Sequence, residues 1–139
     1  MTLTDTETVY AVAQVLADAG VGAWRPNGPG FTAGEVGIFY GQIGTTPDRA
    51  IGVTRYTRLD FVPGDRHPVR VPYLQVRVRG ATAPNSADDL ADAVDGVLQG
   101  LTRVGGLNYV ERVSGPAPLG PDGNGRQELT INYRVSLEG

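Results

Sequence analysis

Few residues in this chain are spaced for chemistry. A Ser-His-Asp triad would have to use its one histidine, His67, which stands before Pro68. No nucleophile-elbow sequence accompanies it, and a histidine-based metal site fails for the same want of partners. Asp88, Asp89, Asp92 and Asp95 could hold a hard cation. The simpler account puts the first two at the positive N-terminus of a helix and the others on a solvated face. Pro121-Asp122-Gly123-Asn124-Gly125 echoes a calcium loop but lacks both the D-x-[DN]-x-[DN]-G order and the closing glutamate. No Walker A or G-x-G-x-x-G sequence follows a strand pattern. With no cysteine, disulfides, thiolate catalysis and sulfur-ligated zinc all drop out. The expectation is a protein with no catalytic residue, metal or cofactor.

The arginines are the more informative set. All 12 basic residues are arginine, against 15 acidic ones, for a net charge of -3. That balance argues against general nucleic-acid binding. Arg77, Arg79 and Arg134 fall on the polar faces of two strand patterns. An RNA-binding sheet would set aromatic rings on the same face; here the companions are Gln75, Thr130, Asn132 and Ser136. Such a face is either wetted by solvent or docked on protein. We favour the second, with arginines meeting carboxylates such as Asp122, Glu128 or the helical aspartates of a neighbour.

The elements that must position these groups read as follows. Leu74, Val76 and Val78 alternate with Gln75, Arg77 and Arg79 and end at Gly80, a half-buried strand at the centre of the domain. Leu129 to Leu137 alternates in the same way. Thr4-Asp5-Thr6-Glu7 has capping-box spacing, Val9, Val12, Ala13 and Leu16 follow at helical intervals, and Gly20 is the stop. Ser86 with Asp89, a weaker form of capping box, opens a second helix, striped by Leu90, Val94, Val97, Leu98 and Leu101 and closed by Gly105-Gly106. Val36 to Ile43 and Ala50 to Thr57 are strands joined by a turn-rich connection of hairpin length. Leu107 to Val113 forms another.

Three stretches read as loops: Trp24 to Glu35, Leu59 to Pro72 with a turn at Pro63-Gly64-Asp65, and Gly115 to Gly125 with three prolines and four glycines. Trp24 and Phe31 either pin the first loop to the core or serve as docking anchors. The fold class expected is α+β: a mostly antiparallel sheet of four to five strands, two helices on one face, order αβββαββ.

The 139 residues suit a single domain spanning 1–139 with a real core. Asp5, Glu7 and Asp18 early in the chain, without a basic stretch, speak against a signal peptide. No apolar run approaches the about 20 residues needed to span a bilayer, so a soluble protein with no membrane partner is expected.

Taken together, several short stretches resemble one family. Gln75-Val76-Arg77-Val78-Arg79-Gly80, Leu119-Gly120-Pro121-Asp122, Gly125-Arg126-Gln127-Glu128 and Asn132-Tyr133 are similar, in this order, to the phage "minor capsid" or tail-terminator proteins. So are the first helix, the Gly22-to-Phe31 loop, Gly37-Ile38-Phe39 and the Pro47-Asp48-Arg49-Ala50 turn. The arginine-only, glycine-rich composition looks like that of an actinobacterial siphophage.

The resemblance implies a structural virion protein and not an enzyme. Tail terminators form a ring, a hexamer, that caps the tail tube and faces the head-side connector. The implied partners are other copies of the chain, the major tail tube protein and the head-tail connector protein. Genomic DNA would pass the lumen without specific binding, as a mildly acidic ring allows. The implied location is the head-tail junction of the virion, with assembly in the host cytoplasm. Arg77, Arg79, Asp122, Arg126, Glu128 and Asn132 are the matching polar positions and the expected interface residues. Arg126 and Glu128 could instead hold the long loop against their own sheet. A head-tail adaptor or stopper, and a small ferredoxin-like binding module, are the alternative readings.

Overall fold

A computed structural model describes residues 2–61, 64 and 69–138. The elements run α1 (Asp5–Asp18), β1 (Ala23–Trp24), β2 (Gly37–Tyr40), β3 (Ala50–Phe61), β4 (Val69–Arg79), α2 (Ser86–Leu98), β5 (Thr102–Val104), β6 (Leu107–Pro121) and β7 (Gln127–Leu137). One sheet holds all seven strands in the order β1-β2-β3-β4-β7-β6-β5. It is mixed and strongly curled, a half-barrel. Both β1–β2 and β2–β3 are parallel, and the other four pairs are antiparallel.

This corrects the expected fold class on three points. First, the sheet has seven strands and not four or five, because β1 and β5 are too short to show a period. Second, β2 and β3 pair in parallel, not as a hairpin. β2 stops at Tyr40, Gly41 turns with φ 75°, and residues 41–49 carry the chain back to the start of β3. Parallel neighbours ordinarily need a crossover of a dozen residues or more; a four-residue strand shortens the return. Third, β6 runs through Gly115, Pro116 and Pro118 to Pro121 and is not a loop. Register shifts absorb the prolines along its pairing with β7.

Boundaries moved as well. β3 and β4 extend into both ends of the expected Leu59-to-Pro72 loop, taking half of it, held by polar partners. Arg58 pairs with Asp60 and Asp5, and Arg70 donates to the Leu3 carbonyl. His67 and most of the Pro63-Gly64-Asp65 turn lie outside the described residues.

Helix α1 starts on the expected capping box: Glu7 N–H donates to Thr4 Oγ1 and Thr4 N–H to Glu7 Oε1. In α2 the expected box is absent. Asn85 takes the cap position, and the Ser86 hydroxyl donates back to the Ala81 and Ala83 carbonyls. Leu98 ends this helix, with Gly100 (φ 80°) following. Gly105-Gly106, both at positive φ, is the tight turn joining β5 to β6.

Both helices pack on one face of the sheet, and α1 also touches α2. Val9, Val12 and Leu16 of α1, and Leu90, Val94 and Leu98 of α2, meet Ile51, Val53, Leu74, Val76, Val78, Leu129, Ile131 and Val135 in one core. Tyr133 ends in that core with its hydroxyl donating to Asp95 Oδ1 at 2.8 Å. Burial foremost, then the Asp95 bond and charge, pushes its pKa upward. Arg112 holds the other oxygen of Asp95, which therefore is structural and not part of a solvated face.

Trp24 packs against the core margin, its ring edge-on to Tyr10 at 5.4 Å. Phe31 meets Phe39 at 5.1 Å. A bidentate pair, Arg25 to Glu35, closes the loop they anchor, and Thr32 N–H adds a third bond to Glu35. The Arg25 bonds, then the Thr32 N–H, hold the Glu35 carboxyl down at about 2 from an ordinary 4.5. A depressed carboxylate stabilises its loop fully above the ordinary pKa and loses that contribution as pH falls through the depressed one. The loop should therefore keep its order down to pH 4.5 and loosen toward pH 2. An NMR titration of Glu35 checks this, and an ordinary midpoint near 4.5 would refute it.

Candidate functional site

The helix-free face of the sheet carries the polar positions singled out above. Along β4 these are Gln75, Arg77 and Arg79; along β7 they are Glu128, Thr130, Asn132 and Arg134, in antiparallel register Gln75↔Asn132, Arg77↔Thr130 and Arg79↔Glu128. At the end of the face where β4 finishes, two loops fold over it: residues 41–49 and the turn between β6 and β7.

Arg79 is the centre of this end. Its position in the alternation aims it away from the helices, yet it is only 5% exposed because the 41–49 loop covers it. The guanidinium donates to four main-chain carbonyls of that loop: Asp48 at 2.8 Å, Gly44 at 2.8 Å, Pro47 at 2.7 Å and Thr45 at 3.4 Å. A loop that returns to start a parallel strand lacks the cross-strand partners of a hairpin, so its carbonyls need donors from elsewhere. Planar, multidentate arginine suits that task. Gly52 lets the loop lie close, since a Cβ there would stand 2.5 Å from the Gly41 carbonyl oxygen.

Arg126 closes the assembly from the other loop. It is 7% exposed and donates to the Thr45 carbonyl at 2.7 Å, to Asp48 Oδ1 at 3.2 Å and to Asp122 Oδ2 at 2.8 Å. Asp122 Oδ1 in turn accepts from the main-chain N–H groups of Asn124 and Arg126. Desolvation would raise the Asp122 carboxyl, but those N–H bonds and the Arg126 guanidinium outweigh it and hold the pKa below its ordinary value. For Arg79, burial pushes the pKa down and the nearby Arg126 charge adds to the effect. The carboxylates of Glu128, Asp122 and Asp48 pull the other way.

Five of the six interface candidates thus meet at one place. Arg79, Arg126 and Asp122 form the clamp, and Arg77 pairs beside it with Glu128 Oε1 at 2.5 Å. Asn132 lies further along the face, donating to Ser114 Oγ and accepting from Gln75 Nε2. Sequence reasoning placed the arginines but missed their acceptors, the carbonyls of residues 44–48. Main-chain acceptors carry no side-chain signal; the turn chemistry of Gly44 and Pro47 was the only hint. Arg77 and Arg126 are paired with carboxylates and Arg79 is spent on main-chain carbonyls, so the arrangement fixes the shape of two loops instead of activating a nucleophile. Asp48 shows how such a ledge faces outward: its side chain is 69% exposed while its carbonyl is held by Arg79.

A solved structure of similar fold is a chain described as "Virion of native gene transfer agent (GTA) particle". It aligns with a TM-score of 0.62 at 16% identity, covering 94% of this chain and 93% of that one. No curated protein matches this sequence. The family described as bacteriophage tail terminator protein matches residues 15–138. With nearly the whole sequence covered, the chain belongs to the bacteriophage tail terminator family, a family of structural tail proteins and not of enzymes.

Proposed function

We propose that the protein caps the tail tube as a ring, a hexamer, and joins it to the head-side connector at the head-tail junction of the virion. Membership of the tail terminator family over residues 15–138 is the observation that carries this reading. The two-loop clamp supports it: residues 44–48 and 122–126, fixed by Arg79 and Arg126, make a stiff ledge for the tube protein or the connector. Arg77, Glu128 and Asn132 flank that ledge as direct contacts, while Arg79 and Arg126 act through the loops they hold. Pairing of Arg77 with Glu128 and Arg134 with Glu111 also suits a ring through which DNA slides. Paired guanidiniums offer phosphates little net charge.

Electron microscopy of particles made with the gene silenced tests the proposal. Overlong tails beside DNA-filled, tailless heads are expected. Tails of normal length beside separate heads would move the protein up to an adaptor or stopper, and intact infectious particles would end the structural reading.

A further inference from the structure

The β4–β7 pairing stops at Tyr73↔Arg134, but β3 and β4 stay paired beyond it, and so do β6 and β7. The sheet therefore forks. Between its prongs lies a cleft of about 360 Å³, lined by Leu59, Val71 and Tyr73 on one side and Tyr109, Glu111 and Arg134 on the other. Its walls are mainly apolar, Tyr56 stacks edge-on against Tyr73 at 6.2 Å, and Leu59 is 54% exposed. The two charged residues on the rim pair with each other, leaving the mouth neutral.

A second exposed apolar element on this half of the sheet is the far part of β6. Residues 113–121 read Val-Ser-Gly-Pro-Ala-Pro-Leu-Gly-Pro, without a charge. β5 pairs with β6 only as far as Tyr109, so this stretch is an open edge, and Val113 and Leu119 are each 51% exposed. Its three prolines have no N–H to donate, which makes it a poor template for strand addition. A partner must hold it by side-chain packing, and aromatic-lined grooves are what extended proline-rich segments dock into.

We propose that the cleft of one subunit receives residues 113–121 of β6 from a second copy. This rests on the ring reading above. The two surfaces match in being mainly apolar and without net charge, yet one chain cannot join them: Tyr109 and Leu119 are ten residues apart on one strand, on the order of 30 Å. Contact between two different patches is heterologous, the kind that closes rings. β6 then acts as a rod, seated in one neighbour at its far end while lining the seat for the other.

The lack of native cysteine makes the test clean. Tyr109→Cys and Leu119→Cys change half-exposed side chains. Under oxidant, the full-length double variant should give a covalent ladder ending in a closed multimer. Each single variant should give no dimer, and a mixture of the two singles should give a dimer and nothing longer. Dimers from either single variant would overturn the proposal. So would a double variant that sediments as a ring without cross-linking, in which case the ring reading survives. If the protein neither sediments as a ring nor cross-links, with or without tail tubes, both fall.

Discussion

Replacing Arg79 with methionine is expected to lower stability by about 3 to 5 kcal/mol, because several buried carbonyls lose charge-assisted bonds worth roughly 1.5 to 3 kcal/mol each. Methionine keeps the length and the apolar stem, so the loss isolates the guanidinium. Without it the carbonyls of Gly44, Thr45, Pro47 and Asp48 lose a shared donor. Thr45 retains Arg126, and the others must recover water by opening the loop. Arg126 would also lose a like-charged neighbour, which offsets a little of the cost. Thermal unfolding should show a midpoint lower by on the order of 10 °C, and hydrogen exchange should localise the loosening to residues 41–50. Arg79→Lys should fall between, since an ammonium retains the charge but not the planar fork. A methionine variant melting within a degree of the parent would show that the loop holds itself.

A larger loss is expected at Gly80. A Cβ there would stand 2.4 Å from the main-chain N of Ala87 and 2.6 Å from the carbonyl carbon of Ser86. Both are backbone atoms at the first turn of α2, so no side chain can rotate away. Either α2 shifts, uncovering Leu90 and Val94, or β4 breaks its last bond, Gly80 N–H to the Gln127 carbonyl. Gly80→Val should cost more than about 4 kcal/mol, in the range of severe steric substitutions. The fitting contrast is Gly96 within α2, where a Cβ meets nothing within 4 Å. Gly96→Ala should raise stability by about 1 kcal/mol through helix propensity. Chemical denaturation of the three proteins checks both signs; equal stabilities for the two variants would contradict the packing described here.

What the sequence shows of this fold follows from how far each signal reaches. Val76 and Ile131 sit in strict alternations, and a period of two needs no knowledge of the partner strand. Thr4 and Glu7 are three residues apart, within one turn. Where the deciding contact is distant, the reading fails. Residues 41–49 have the length and turn residues of a hairpin, and what makes them a parallel return is Arg79, thirty-one residues beyond Asp48. Pro116 and Pro118 argue locally against a strand, but pairing with the continuous β7 overrides them. Gly105-Gly106 is equally good as a helix stop or a two-residue turn, and only the pairing of Val104 with Leu107 decides. The site divides on the same line: side-chain donors are legible, and main-chain acceptors are not.

The pairing of β4 with β7 also bears on how the chain comes off the ribosome. Val76 and Ile131 are neighbours across the middle of the sheet yet fifty-five residues apart in sequence. Until the segment 127–137 has emerged, β4 has an empty side, and the helices have only part of a surface to cover. Such non-local pairing is slow to form, since loop closure must come before its reward. The sheet therefore cannot close before β7 is delivered, and the Arg79–Arg126 ledge, which draws on both halves, can take shape only then. If that ledge is the contact surface proposed above, a truncated product would lack it and incomplete subunits would be left out of a growing particle.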